Sequence, residues 1–148
     1  MKKLIVIFVI LFPISQILFS QSADDICSYW RTVKGNTQFQ IYKAPNGKYI
    51  GKIVWLRIDK DRSDLNNPDP KLKQRKILGL QIISDFTYNA KKKVWENGKI
   101  YDPENGRTYL CKVWFERDKY ILYLRGHVEG MKLLSRESNL IRESKLHQ

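Results

Sequence analysis

The sequence contains little of what usually builds a metal site or a hydrolytic centre. Its 148 residues include two Cys and two His. This scarcity excludes a disulfide-rich scaffold, a zinc finger and most histidine-built metal sites. No Gly-x-Ser-x-Gly elbow is present, and neither His127 nor His147 stands beside a recognisable nucleophile. We therefore predict no catalytic triad, no metal and no cofactor.

Only one long apolar run is present, at the beginning of the chain. Lys2 and Lys3 precede nine consecutive apolar residues, 4–12, and Ser20 offers a small residue for cleavage. This layout predicts a signal peptide over residues 1–20 and a mature domain over residues 21–148. An uncleaved anchor is the alternative, but a membrane span needs about 20 apolar residues. We expect a secreted or periplasmic protein that is not integral to a membrane.

Acidic residues are also scarce relative to basic ones. The chain has 27 Lys and Arg against 15 Asp and Glu, a net charge of +12. Much of the excess gathers in two segments, residues 71–76 and 91–93. An exported chain does not meet the genome, so we expect no nucleic-acid partner. The charge instead favours an anionic component of the cell envelope or the anionic head group of a ligand.

Along the mature chain, apolar and polar residues alternate with a period of two, which is typical of β-strands. Asn-Gly pairs separate several of the runs, at Asn46-Gly47, Asn97-Gly98 and Asn105-Gly106, and such pairs suit tight turns. The pattern predicts eight strands, near residues 26–32, 37–43, 48–58, 78–88, 94–101, 107–116, 120–127 and 131–142.

The connections between these strands are mostly short, so neighbouring strands are expected to pair antiparallel. Eight sequential strands in about 120 residues predict an all-β, up-and-down barrel, which leaves no open sheet edge. A two-sheet sandwich is the alternative. An eight-stranded barrel has an interior wide enough for side chains or for one small ligand.

One connection, residues 59–76, is long and rich in Asp, Asn, Pro and Lys, and we expect a short helix near 70–74. Asp59, Asp61 and Ser63 begin it like a calcium-binding loop, but Asp64 stands at the sixth position, where such loops have a Gly. The pattern then fails, because Pro70 stands where such loops have a bidentate Glu. A solvated loop of mixed charge is the favoured interpretation.

Several segments resemble one bacterial secreted family, domain of unknown function 2147. They are Gly51-Lys52-Ile53-Val54-Trp55-Leu56, then Asn67-Pro68-Asp69-Pro70 with Arg75 and Leu78-Gly79-Leu80, then residues 95–109, and Arg125-Gly126. The likeness covers nearly all of residues 25–143, and residues 100–109 are its most specific part. The resemblance implies an architecture and no particular reaction.

That family is in turn similar to lipocalin-like (calycin) barrels, which carry a Gly-x-Trp on the first strand and an Arg on the last. Ser28-Tyr29-Trp30 and Arg142 match these positions, with Ser28 in place of the Gly. Leu140 stands where relatives carry a Trp, and the last strand has therefore diverged. The resemblance implies that Arg142 lies over Trp30 and closes one end of the barrel through a cation–π contact.

The candidate ligand-binding residues are polar or aromatic residues in and beside these motifs: Trp55, Asp69, Arg75, Trp95, Tyr101, Asp102, Tyr109 and Arg125. Arg75 or Arg125 at a barrel mouth would hold an anionic head group bidentately. Structural interpretations of these residues also remain open. In the first, Arg75 pairs with Asp69 or Asp102 and so fastens the long loop. In the second, Asp102 stabilises the turn that follows it. In the third, the tryptophans and tyrosines pack in the core.

Our first functional hypothesis, based on these residues, is a non-enzymatic protein that binds a small apolar or amphipathic ligand. A module that docks an acidic envelope polymer or protein through its basic loops is the alternative. A hydrolase that uses Asp69, Asp102 and Arg75 is a weaker one. Export also permits a disulfide between Cys27 and Cys111.

Overall fold

Residues 20–128 and 131–148 are described by a computed structural model. Of the predicted signal peptide, residues 1–20, only Ser20 falls inside these ranges. Within them, no helix reaches the length and apolar character needed to cross a membrane.

Eight antiparallel strands form one closed barrel in which each strand pairs with its neighbours in sequence. The ring closes between the first and last strands, where Trp30 faces Arg142. This confirms the all-β, up-and-down barrel and excludes the two-sheet sandwich. The strands are β1 (Ser28–Thr32), β2 (Thr37–Lys43), β3 (Tyr49–Leu56), β4 (Gln81–Asn89), β5 (Val94–Asp102), β6 (Arg107–Trp114), β7 (Ile121–Val128) and β8 (Met131–Glu143).

The period of two in the sequence becomes the inward face of the barrel. Along β3, for example, Tyr49, Gly51 and Ile53 are buried while the residues between them are not. Trp30 and Trp95 are completely buried in the same core. Burial of each such large apolar side chain stabilises the fold by about 1.5–3 kcal/mol.

Asn97 and Gly98 do not form the turn that an Asn-Gly pair predicts. They lie within β5, at an irregularity in its pairing with β6. Asn97 takes the left-handed conformation there, with φ 63°. At Gly98, an added Cβ would lie only 2.2 Å from the Phe86 ring. The pair therefore supplies a bulge and a space for an aromatic side chain, which are other uses of the same residue types.

The two ends of the barrel differ. One end, which we call the closed end, carries a 3₁₀ turn, Ala23–Ile26, and the short β2–β3, β4–β5 and β6–β7 connections. The β1–β2, β3–β4, β5–β6 and β7–β8 connections lie at the other end, the open end. The longest of these, residues 57–80 between β3 and β4, is named the rim loop below.

The rim loop is held in place by hydrogen bonds and by three buried side chains, those of Asp64, Asn67 and Ile77. Ser63 and Lys76 form an isolated bridge across its base, and Ile77 is almost fully buried. A single 3₁₀ turn, Pro70–Leu72, stands where a short helix was expected, and the Asp69 side chain caps it by accepting from the Lys71 backbone N–H. The loop thus has a defined course at the open end.

The residues after β8 form a tail, 144–148, that folds back over the outer face of β2 and β3. Gln38, fully buried, donates from Nε2 to the Lys145 carbonyl (2.8 Å) and accepts from the His147 N–H (3.0 Å). The His147 ring lies 4.8 Å from that of Trp55, whose Nε1 donates to the Gln148 carbonyl. The tail therefore supplies the polar partners that a buried glutamine requires.

Candidate functional site

The closed end is filled by buried and half-buried aromatic side chains together with the half-buried side chain of Arg142. The Arg142 guanidinium lies 4.6 Å from the centre of the Trp30 ring. Its Nε donates to the Lys119 carbonyl (2.5 Å), and a second guanidinium nitrogen donates to the Asp25 carbonyl. Burial lowers the pKa of Arg142 below its usual value.

The same end is also braced by the 3₁₀ turn. Trp30 Nε1 donates to the Ile26 carbonyl (2.8 Å) and Trp95 Nε1 to the Ala23 carbonyl (2.9 Å). Both indole rings also contact Phe115, with ring centres 5.9 and 5.4 Å away. Trp95, a candidate ligand residue, is thus part of the core at this end. These contacts close the barrel at this end in the part of the chain that the structure describes.

A groove of about 800 Å³ lies outside the contacts that close this end, between the β4–β5 and β6–β7 connections. Two of its charged groups, Lys119 and Asp25, pair with each other at 2.6 Å. The Gln21 side chain reaches over it to the Lys93 carbonyl. It is a surface feature rather than part of the barrel interior.

A cavity of about 790 Å³ opens at the other end. Every strand contributes to its wall, so the cavity is the part of the barrel interior that lies toward the open end. Small-molecule sites commonly have volumes of about 300–1,000 Å³. The lining is apolar in most places, with Phe39, Ile53, Leu56, Ile82, Ile83, Ile100, Cys111, Leu124 and Leu140 among its residues.

Arg136 on β8 faces this cavity. Its cross-strand partner is Gly126 on β7, and partners in an antiparallel pair share one face of the sheet. An added Cβ at Gly126 would lie 2.5 Å from the buried Cys111 Sγ, so that face is the inner one. Arg136 lines the cavity, and among the described residues it has no ion-pair partner. A cation thus stands free at the mouth of an apolar chamber.

Arg62 of the rim loop adds a second donor at the mouth. One of its guanidinium nitrogens pairs with Glu104 at 2.7 Å. Its Nε is buried and has no hydrogen-bond partner among the described residues. Because buried donors are nearly always paired, this N–H is available to an acceptor that enters the cavity.

Arg75 lies at the open end but is fully engaged. Its Nε and a second nitrogen lie 2.9 and 2.8 Å from Asp64 Oδ2, and its guanidinium lies 5.5 Å from the Tyr101 ring centre. The Tyr101 hydroxyl donates to Asp64 Oδ1 at 2.7 Å and accepts from Asn67. Arg75 therefore fastens the rim loop, in agreement with one of its two interpretations, but through Asp64 rather than through Asp69 or Asp102.

This network also shifts pKa values. Burial by itself raises the pKa of Asp64, but hydrogen bonds from Tyr101, Asn67 and Arg75 outweigh it, and the net pKa is lowered. Burial, together with the hydrogen bond to Asp64, raises the pKa of Tyr101 to about 12. Asp64 is ionised and Tyr101 neutral at pH 7, as a structural ion pair requires.

Asp69 and Asp102 serve local turns and do not converge with Arg75. Asp69 caps the Pro70–Leu72 turn, while Asp102 accepts from the Glu104 N–H and the Asn105 side chain. Each of the three residues of the hydrolase hypothesis has its own separate partners, so the described chain holds no shared pocket for that chemistry.

Arg125 and Trp55 lie on the outside of the barrel. Arg125 is the neighbour of inward-facing Gly126, so it points outward, and it pairs with Glu137. Trp55 lies beneath the C-terminal tail. Of the predicted residues, Tyr101, Asp102 and Tyr109 line the cavity, and the Tyr109 hydroxyl accepts from Asn105 at 3.0 Å.

Both cysteines are free, so the possible disulfide is not formed. Cys27 precedes β1 beside the closed end, whereas Cys111 is buried in the middle of β6 against Gly126. Burial raises the pKa of Cys111 to about 12. At neutral pH Cys111 is a protonated thiol that serves packing.

Sequence reasoning missed Arg136, although a signal for it exists. Positions 136, 138, 140 and 142 alternate along one strand, and Arg142 was expected to face inward. Counting back along the same face reaches Arg136. No such pattern marks Arg62, because its position depends on the course of the rim loop.

A closed eight-stranded barrel, sealed at one end by an Arg over a Trp and hollow at the other, defines the lipocalin-like class. The chain belongs to the family described as uncharacterized protein conserved in bacteria (DUF2147), whose model matches residues 28–142. None of the curated proteins matches the sequence.

Among solved structures, the chain is similar to protein HP1028 from the human pathogen Helicobacter pylori, described as belonging to the lipocalin family. The TM-score is 0.68 at 20% sequence identity, over 80% of this chain and 83% of that one. At this identity the likeness concerns the fold alone.

Proposed function

We propose that the protein is a non-enzymatic binder of a small amphipathic ligand with an anionic head group. The apolar body of the ligand occupies the open-end cavity, and the head group lies at the mouth against Arg136. The observation that carries this proposal is a guanidinium without an ion-pair partner among the described residues, on the inner face of a largely apolar chamber. A charge-assisted hydrogen bond in such surroundings is both strong and selective.

The proposal is tested by calorimetric titration of the purified protein with dodecanoate and with dodecyltrimethylammonium, which differ in head-group charge. We expect dodecanoate to bind one-to-one and the cationic amphiphile to bind much more weakly. The variant Arg136→Gln is expected to lose about tenfold in dodecanoate affinity, since a hydrogen bond to a charged group contributes about 1.5–3 kcal/mol.

Arg125→Gln is the matched control, because Arg125 lies one register position away and points outward. It should bind dodecanoate like the wild type. Ser138, which faces the cavity opposite Leu124, offers a second test: Ser138→Trp should block binding by filling the mouth. Equal binding of the two amphiphiles, or undiminished binding by Ser138→Trp, would refute the proposal.

We also propose that the protein acts outside the cytoplasm, as a secreted or periplasmic protein. The charged start, the apolar run and the small residue at position 20 support this. Amino-terminal sequencing of the protein from the periplasmic or extracellular fraction should begin at Gln21. An intact Met1 in protein recovered from the cytoplasm would contradict it.

A further inference from the structure

Large apolar side chains protrude from the loops of the open end. Ile58, Leu65 and Val33 are exposed to 77%, 60% and 57%. They are three of the four most exposed large apolar side chains in the described part of the chain. The fourth, Tyr120 (69%), lies at the closed end. These side chains bury little apolar area within the molecule, and their placement together at one end indicates that this end contacts the surface of a partner.

The three protruding side chains stand around one mouth. The Arg57 N–H donates to the Asn36 carbonyl (3.0 Å), which holds the segment of Ile58 beside the β1–β2 turn that carries Val33. The Asn66 side chain donates to the Pro103 and Glu104 carbonyls (3.2 and 2.9 Å), which holds the segment of Leu65 beside the β5–β6 turn. The rim loop thus presents them together around the cavity.

Cations flank two of the three apolar tips. Asp59 follows Ile58 directly, and Leu65 lies between Asp64 and Asn66. The cations are Lys34 after Val33, and Arg57 and Lys60 on either side of Ile58. All three are exposed, and among the described residues none has an ion-pair partner. The whole rim loop holds seven Lys and Arg against four Asp, a net charge of +3. This surface complements a negative one.

We infer that the open end docks onto an anionic lipid bilayer, with Val33, Ile58 and Leu65 inserted among the lipids and the flanking cations against their head groups. Apolar tips interspersed with Lys and Arg are what binding at a membrane interface requires, because it combines apolar burial with attraction to anionic lipids. An acidic polymer would need the cations alone and would leave the apolar tips exposed.

Docking in this orientation places the cavity mouth against the bilayer. An amphipathic ligand would then pass between lipid and cavity without crossing water. The inference goes beyond the proposed function and does not depend on it, since docking needs only the rim.

The test is flotation of the purified protein with vesicles of equal parts phosphatidylglycerol and phosphatidylcholine, and with vesicles of phosphatidylcholine alone. We expect binding to the anionic vesicles that weakens as salt is added. The triple variant Val33→Ser, Ile58→Ser, Leu65→Ser is expected to lower binding at least about tenfold, because each apolar side chain loses its burial among the lipids.

Two variants at the closed end are the matched controls. Tyr120→Ser removes an apolar side chain of similar exposure, and Lys91→Gln removes an exposed cation; both should float like the wild type. The double variant Ile58→Ser, Leu65→Ser changes only exposed positions outside the cavity lining, so its melting temperature and its dodecanoate titration should match the wild type while its flotation falls. Failure of docking and failure of ligand binding are therefore distinguishable.

Vesicle binding that the triple variant retains would overturn the inference, as would equal loss on Tyr120→Ser. A soluble polyanion, polyglutamate, identifies the other partner class. If the protein binds polyglutamate but neither kind of vesicle, then the rim docks an acidic polymer and not a membrane. The same conclusion follows if the triple variant binds polyglutamate and the anionic vesicles as the wild type does.

Discussion

Asp64 is a single carboxylate on which the position of the rim loop depends. It is fully buried, and its two oxygens accept from Tyr101, Asn67 and Arg75. Arg75 itself is one-third exposed, so solvent screens some of the attraction between the two charges. The network still has no spare acceptor among the described residues to replace this carboxylate.

We predict that Asp64→Asn lowers the free energy of unfolding by about 2–3 kcal/mol at pH 7, because it leaves Arg75 without its anion. Urea denaturation measures this change. Asp61→Asn is the control, since the exposed Asp61–Lys76 pair on the same loop should contribute little. Similar losses in the two variants would argue against the assigned role of Asp64.

The same substitution has a pH signature. The folded-state pKa of Asp64 lies below the usual value of 3.8, so its contribution is complete above that value and is lost as the pH falls through the folded-state pKa. The stability difference between wild type and Asp64→Asn should therefore shrink on acidification below about pH 4. Denaturation at several acidic pH values measures it, and a constant difference would contradict the ionised state.

At the scale of elements, the packing of β5 against β4 depends on the absence of a side chain at Gly98. Gly98 lets the Phe86 ring of β4 lie across the strand, where an added Cβ would be 2.2 Å from ring carbons. Phe86 is itself almost fully buried, so it has little room to move.

We predict that Gly98→Ala lowers the free energy of unfolding by about 2–3 kcal/mol through overpacking. Adding Phe86→Leu should restore some of the loss, a coupling that a double-mutant cycle measures. Gly47→Ala is the comparison, because Gly47 has φ +79° with no atom within 4 Å of an added Cβ. It should cost only backbone strain, about 1 kcal/mol. Additive effects at positions 86 and 98 would show that the close approach is not the cause.

The strands were predictable because one local rule, period-two alternation, governs them. Each observed strand begins within three residues of its expected start. The agreement is best where a short hairpin connection reinforces the alternation, and β4, which follows the rim loop, begins latest relative to the expectation. Residues 78–80 precede β4 and run beside β3 instead, where Gly79 and Leu80 hydrogen bond with Ile53.

The candidate site was less predictable because it depends on contacts between distant segments. Asp64 is buried only because Tyr101 and Arg75 meet it, and no spacing in the sequence reveals that meeting. The orientation of Arg125 depends on which face of β7 Gly126 occupies. Motif membership identified both arginines but did not distinguish a guanidinium that fastens a loop from one that faces a cavity.

At the scale of the whole molecule, the barrel separates its closed, structural end from the open end that holds the cavity of the proposed ligand. The Arg142 stack lies at the closed end, and the cavity residues lie between the middle of the barrel and the open end. The two regions share strands but no polar contact among the described residues. Stability and ligand binding should therefore respond to different substitutions.

We predict that Arg142→Gln lowers the free energy of unfolding by about 2 kcal/mol, because it removes the cation–π contact and a hydrogen bond. Its dodecanoate affinity, measured by titration at a temperature where the variant is folded, should equal that of the wild type. Arg136→Gln should show the reverse pattern. Loss of both properties in either variant would show that the two ends are coupled.

The seam between β1 and β8 also determines how the barrel resists force. Ser28, at the beginning of β1, hydrogen bonds to Glu143, at the end of β8, so the chain enters and leaves the barrel at the same end. A load that draws these two points apart acts on the last residue pair of a single antiparallel ladder. The pairs then separate in succession, as in a zipper, and the molecule opens along this seam while its other strands are still joined.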